Sequence, residues 1–452
     1  MKDIKIDFTS CYLTVFVLGL LLALLYSSNQ LLNGDQLQTL YRGYLAAHQG
    51  IWVNYGNAAS VVGNVPGSLS TLVVGIPLVV WDSPWSPMLV IIACNISALV
   101  LFDKVVKQVF DGPARLLFWV LFWLSPWFLY QHMLYNPAYL FFCSALHFYT
   151  AFHMRDRSSF WITFWHIVSI GLVVQLHYSW PLLVVISGYL FVRGIMKVHY
   201  WAVVIGIAVL VASLVPYLLE MLAANSEATR PEDFSKNRYI GWGLVHVYPV
   251  LKAMIYWLRY SSFLFTEKLI SGATFEWVTI SDSLRFAMQY AYRGVLYGVG
   301  IFTFYFSFKA NWYLFKQIKG IWFGGFISYL TFRKNRSESD VLSNTQIDRI
   351  NNEQWLQLYI GACVVAIFIS AALSPTIFGY WHLIMLYPFA ALNMLIYLTH
   401  KHLTSNNFWR YSVLIAVFSV FVNLVASHDS VKFTYKVPYT EQVELWLVEQ
   451  KL

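Results

Sequence analysis

Charge is what this chain has least of. Only 12% of its 452 residues are Asp, Glu, Lys or Arg, about half the share found in soluble domains, too few to cover a globular surface of this size. A soluble enzyme, a disordered protein and a fibrous protein are excluded. Cysteine is scarce as well. Cys11, Cys94, Cys143 and Cys363 all sit in apolar runs without CxxC spacing, which leaves no disulfide framework or cysteine metal site and makes them small buried hydrophobes. Histidines do not cluster either; the close pair His400 and His402 flanks Lys401 as a basic turn. There is no Walker A motif, no GxGxxG on a strand–helix unit, no HExxH and no GxSxG. A nucleotide-driven enzyme with a cytoplasmic catalytic domain does not fit, and no internal repeat is present.

Apolar surface is abundant. Hydrophobic residues make up 58% and aromatics 18% of the chain, and the mean hydropathy is +0.57. Rings in that number are expected where side chains line membrane–water boundaries. The expectation is an all-α, polytopic membrane protein with juxtamembrane amphipathic helices. A span needs about 20 apolar residues, which places eleven at 11–28, 87–103, 115–131, 138–154, 160–176, 180–192, 199–219, 290–308, 354–373, 380–398 and 408–426. Residues 66–80 are apolar but short and contain Pro66 and Pro77, so they read as re-entrant or interfacial. Residues 245–265 hold Lys252 and Arg259 on one helical face, and the cost of burying such cations lays the segment on the membrane surface. If both stretches cross, the count rises to thirteen.

Basic residues set the orientation. With the N-terminus inside and the first span retained, 18 of the 30 Lys and Arg fall on the cytoplasmic side, and the short turns 132–137, 177–179 and 374–379 on the other side carry none. The net charge of +8 therefore belongs to cytoplasmic loops and implies no nucleic-acid partner. The transmembrane domain spans 1–426, with outward loops at 29–86 and 220–289 and a cytoplasmic loop at 309–353 whose stretch Ser337–Arg349 is a polar connector. The tail, 427–452, places Val443, Trp446 and Leu447 on one face of a short helix packed over the outer surface.

The first outward loop carries the chemistry. Leu37, Leu40, Tyr41, Tyr44, Leu45 and His48 recur at helical spacing before Gly50, which makes an amphipathic helix with Asp35 at its start and Arg42 off the stripe. Asp35 reads as an N-cap with Gln38 completing a capping box, or as a general base at the mouth of a membrane cavity. The two roles are compatible.

These residues carry a resemblance. An acidic residue just after the first span, an amphipathic helix, and then Trp52, Asn54, Tyr55, Gly56, Pro66 and Gly67 leading to the next span are similar to the GT-C glycosyltransferases. Within that group the protein O-mannosyltransferases and lipid A aminoarabinose transferases are nearest. Ser125-Pro126, Tyr135-Asn136-Pro137 and Gln175-Leu176-His177 extend the likeness over residues 10–220. The resemblance implies transfer of a monosaccharide from a polyprenyl-phosphate carrier to a cell-envelope lipid, glycan or protein. Asp35 would deprotonate the acceptor on the periplasmic side of the inner membrane. The leaving group is already a phosphate anion, so one base and one cation suffice and no cofactor is needed. Position 36 is Gln where many relatives are acidic, and 132–137 has no carboxylate, so no metal is expected.

Substrate contacts are expected from Arg42, Tyr55, His132, Tyr135, Asn136, Gln175, His177, Tyr178, Trp381 and His382, which combine hydrogen-bonding groups with rings that stack on sugars. His177 and His132 read equally as packing residues, Asn136-Pro137 as a simple turn, and Trp381 with its neighbours as an interfacial belt. For the donor phosphate, Lys252 and Arg259 share a face at lipid-phosphate depth, with Arg293 in reserve. Arg230, Lys236 and Arg238 read as solvated. An O-antigen-type polymerase or a transporter is the alternative; the former needs no acid after span one, and the latter predicts repeats and mid-span charges.

Overall fold

The long apolar runs leave the backbone one way to satisfy itself in lipid, which is to close its hydrogen bonds within helices. The computed structural model describes residues 8–28, 34–59, 63–223, 247–331, 351–374, 377–402, 405–429 and 439–450. Arg230, Lys236, Arg238 and Ser337–Arg349 lie outside them. In chain order the elements are α1 (Phe8–Ser28), α2 (Gly34–Gln49), β1 (Tyr55–Ala59), β2 (Gly63–Pro66), α3 (Leu69–Val80), α4 (Trp85–Val106) and α5 (Gly112–Trp123). Two 3-10 turns, Pro126–His132 and Asn136–Tyr139, precede α6 (Leu140–Met154), α7 (Phe160–Leu176), α8 (Trp180–Val192) and α9 (Tyr200–Leu222). Then follow α10 (Val247–Tyr260), α11 (Asp282–Thr331), α12 (Asn352–Leu373), α13 (Tyr387–Lys401), α14 (Ser405–Asp429) and α15 (Tyr439–Gln450). Among the described residues six helices are long and apolar enough to cross a membrane, or seven if one bent pair counts as a span. The protein is a polytopic helical membrane protein.

Three expectations are corrected. The segment 115–131 is not one straight span: α5 and the 3-10 turn after it meet at 53°. The residue before a proline avoids the helical region; Ser125 is extended and its hydroxyl accepts from the Trp127 amide. The carbonyls freed at the break are taken up across the bundle, Leu121 by the Tyr387 hydroxyl and Leu124 by Asn423 Nδ2 at 2.8 Å. Second, the first outward loop contains an antiparallel hairpin, with Tyr55 opposite Pro66 and Ala58 opposite Asn64. Third, α11 has 50 residues and so runs about 75 Å at 1.5 Å per residue, well beyond 290–308. The first part of the expected cytoplasmic loop is this helix continued.

Two polar clusters lock the bundle. Away from the hairpin, Asp103 takes two bonds from Arg115, at 2.6 and 2.5 Å, and one from Trp119 at 2.7 Å, while Arg115 also lies over the Tyr12 ring; α1, α4 and α5 are tied there. In the interior, His147 meets Tyr359 and Ser187 at 2.8 Å, and His166 meets the same Ser187 at 3.0 Å and Thr150 at 2.9 Å. Ser187 also donates to the Leu183 carbonyl at 2.9 Å, and the cluster joins α6, α7, α8 and α12.

Candidate active site

The hairpin end of the bundle holds the candidate residues, and α2 sets their frame. Helix α2 begins at Gly34, so Asp35 lies in its first turn rather than at the cap. Gln38 turns its Oε1 to the Ala58 amide of the hairpin, 3.2 Å away, instead of closing a capping box. The polar side of α2 is therefore covered by β1, which is why Arg42, off the apolar stripe, is buried. Arg42 donates through Nη1 to Asn57 Oδ1 and lies over the Tyr55 ring; burial pushes the guanidinium down to about 10, against the Tyr55 and Tyr41 hydroxyls. Asn57 Nδ2 donates to the Asp35 carbonyl and to Thr39 Oγ1, both at 3.0 Å. One amide thus ties Asp35, Thr39 and Arg42 together. Asp35 keeps an exposed surface, yet the protein around its carboxyl raises it above the ordinary carboxylate range.

Facing Asp35 is a group of tyrosines. Tyr135 stands on the turn between the 3-10 segments, and burial raises its hydroxyl, with further contributions from Tyr380, Tyr26, Tyr260 and Asp35. Tyr130 and Tyr380 have ring centroids 4.2 Å apart, and the Tyr260 hydroxyl donates to the Tyr380 carbonyl at 2.5 Å. At the end of α10, next to Tyr260, Arg259 is buried. Its Nη1 is 3.0 Å from Glu267 Oε1, its Nε donates to the Leu264 carbonyl, and its plane lies over Trp127 and Tyr256. Its Nη2 has no hydrogen-bond partner among the described residues.

The structure links Asp35 to Tyr135, and Arg259 to the group through Tyr260; His132 and Asn136 are buried on the same turn as Tyr135. It does not gather the rest. Tyr178 donates to the Asn64 carbonyl at 2.7 Å, and Gln175 donates to Ser213 at 3.0 Å while its carbonyl accepts from Ser70; with Tyr55 they fasten the hairpin and α3 to the bundle. Gly67, at φ +88°, lets the chain pass so close to Gln175 that a Cβ would meet its Oε1 at 2.4 Å. His177 binds Ser179 at 2.7 Å, and Ser179 donates to the His382 carbonyl. Burial, with His382 beside it, pushes His177 down to about 3, so it stays neutral. Lys252 lies near His382. Trp381 keeps 40% of its surface exposed, and its neighbour Tyr380 is the residue that joins the tyrosine group. Arg293 is spent on the Ser271 carbonyl and the Tyr290 ring. Among the described residues no three His, Cys, Asp or Glu side chains gather as metal ligands. Sequence reasoning missed Asn57, Glu267, Tyr130 and Tyr260, which become neighbours only through long-range folding.

No family model matches this chain, and no curated protein matches it. Two crystal structures of ArnT from Cupriavidus metallidurans are similar to it. The one bound to undecaprenyl phosphate is 12% identical, with a TM-score of 0.47 over 92% of this chain and 74% of that one. The other, in the apo state, is 12% identical, with a TM-score of 0.41 over 94% and 78%.

Proposed function

We propose that the protein transfers a monosaccharide from a polyprenyl-phosphate carrier to an acceptor at the hairpin end of the bundle, on the periplasmic side of the inner membrane. The observation that carries this reading is a run of interactions from a carboxylate to a buried guanidinium: Asp35 acts on Tyr135, Tyr135 interacts with Tyr380 and Tyr260, and Tyr260 follows Arg259 at the end of α10. The sequence resemblance supports the same reaction. Asp35 takes the proton of the acceptor hydroxyl or amine as its lone pair attacks the anomeric carbon. The bond to the carrier oxygen breaks, and the phosphate leaves with the electron pair. A general base contributes typically 10²–10⁴-fold. The raised Asp35 carboxyl is a better base than a solvated one. Arg259 Nη2 is the donor left over for the departing phosphate, held in a water-poor setting where such a bond counts most. Lys252, seven residues back on α10, is the second cation we assign to the donor phosphate.

The test is transfer by purified protein in liposomes supplied with polyprenyl-phosphate sugars, together with mass spectrometry of envelope glycans with and without the gene. Asp35→Asn at normal protein levels is expected to abolish transfer. Full activity in that variant overturns the reading and favours a polymerase or transporter.

A further inference from the structure

The broken third span holds more hydrogen-bonding capacity than the protein uses. Gln131 is fully buried, yet neither Oε1 nor Nε2 of its amide has a partner among the described residues. The buried Tyr139 hydroxyl likewise has none. Asn95 of α4 gives its Nδ2 to the Gln131 carbonyl at 2.9 Å and keeps Oδ1 unpartnered. His132 has Nδ1 2.9 Å from the Phe128 carbonyl. A carbonyl only accepts, so Nδ1 carries the hydrogen and Nε2 is a bare lone pair, also unpartnered. Leaving a buried group unsatisfied costs ~1–3 kcal/mol, and native interiors hold few of them. Here several lie on one short stretch of chain facing α4.

The elements that carry them are joined. The Asn95 bond joins α4 to the first 3-10 turn, His132 follows Gln131, and the Tyr139 hydroxyl interacts with Cys94, the neighbour of Asn95. Their chemistry is mixed: Asn95 Oδ1, Gln131 Oε1 and His132 Nε2 accept, whereas Gln131 Nε2 and the Tyr139 hydroxyl donate. None of the four side chains is itself charged: two are amides, one a phenol, and the imidazole donates through Nδ1 and keeps a lone pair on Nε2. A phosphate oxygen only accepts and would leave the acceptors empty. An ammonium or a carboxylate would lose its hydration with no counter-charge. A ring of hydroxyls both gives and takes hydrogen bonds.

We propose that Asn95, Gln131, His132 and Tyr139 form a subsite for an uncharged sugar ring, so that the group transferred is a neutral sugar and not an amino sugar or a uronic acid. This rests on the transferase reading above and adds the class of donor. Binding gives these side chains partners, which makes the subsite selective for a ligand that both donates and accepts. The same selectivity follows for any neutral sugar whose hydroxyls reach these four side chains.

The experiment titrates the full chain in nanodiscs with bare polyprenyl phosphate, with the lipid carrying glucose, galactose or mannose, and with the lipid carrying a 4-aminopentose or a glucuronate. Gln131→Met and Tyr139→Phe remove the polar atoms at nearly constant shape. Wild type is expected to bind at least one neutral-sugar lipid about tenfold or more tighter than the bare lipid, and the charged-sugar lipids no tighter than the bare one. Each variant is expected to lose ~3–10-fold of that gain, the worth of one neutral hydrogen bond, with bare-lipid affinity within about twofold and a melting temperature unchanged or raised. Tightest binding of a charged sugar overturns the inference, as do variants that bind every probe like wild type, lose bare-lipid affinity equally, or melt several degrees lower. Wild type that binds bare lipid with no sugar preference overturns the subsite and leaves the transferase reading standing. Wild type that binds no polyprenyl probe removes both.

Discussion

At the scale of single residues, Asp35 is the group whose protonation gates the proposed reaction. Its carboxyl is raised, and only the deprotonated form takes a proton. Activity is therefore expected to fall as pH drops through this raised value, earlier than for an ordinary carboxylate near 3.9. A pH profile of kcat/KM measures it, and an acid limb that stays unshifted contradicts the base assignment. Asn57 acts one step back. Asn57→Ala removes the bonds to the Asp35 carbonyl and Thr39 and strips the buried Arg42 of its acceptor, a loss of ~1.5–3 kcal/mol for the charged partner alone. The expected outcome is a lower melting temperature together with reduced kcat. An intact melting curve with full activity would show that the clamp does not matter.

Among the elements, α3 packs most extensively on α2, and the hairpin and α15 add to its hold. Gly67→Ala puts a Cβ at φ +88° and against Gln175. The backbone strain alone is ~1–2 kcal/mol, and the hairpin is expected to detach from α7, seen as faster hydrogen exchange of residues 55–66. Helix α15 meets α2 through Trp446 on Tyr41 and through Tyr439, whose hydroxyl donates to Asp82 at 2.5 Å and lies 3.0 Å from His48. Tyr439→Phe loses those bonds at a cost of ~1 kcal/mol, and limited proteolysis should then clip α15 sooner. The broken third span was half legible. Ser125-Pro126 is a readable stop, but that the chain continues as a buried 3-10 turn depends on Tyr387 and Asn423 arriving to take the freed carbonyls from 266 and 299 residues away in sequence. Asn95 offered a signal that went unread: a lone amide in the apolar run IIACNISALV, where a polar side chain is expensive and marks a function.

For the molecule as a whole, the two ends differ in charge. Lys104, Arg115, Arg155, Arg193 and Lys401 sit at the end opposite the hairpin, where Arg155 also donates to Asn352. By the positive-inside bias that end is expected in the cytoplasm. Single cysteines introduced at Trp52 and at Arg193 should separate under a membrane-impermeant maleimide, the first labelled in intact cells and the second only after permeabilisation. The reverse pattern would move the site to the cytoplasm.

Composition and apolar run length determined that this is a helical membrane protein, and the charge of its loops set an expected orientation, because lipid admits only backbones that satisfy themselves and insertion counts cations. The place of Asp35 at the head of an amphipathic helix was also readable, since helical period is local. What only the tertiary structure decided was which polar side chains are employed elsewhere and which are left over. Arg42 and Tyr178 turned out to bind the hairpin that carries Tyr55, and Gln175 to bind Ser213 and Ser70, whereas the side chains of Gln131 and Tyr139 were left buried without hydrogen-bond partners among the described residues. A hydrogen bond is a property of two groups, and the sequence states only one of them at a time.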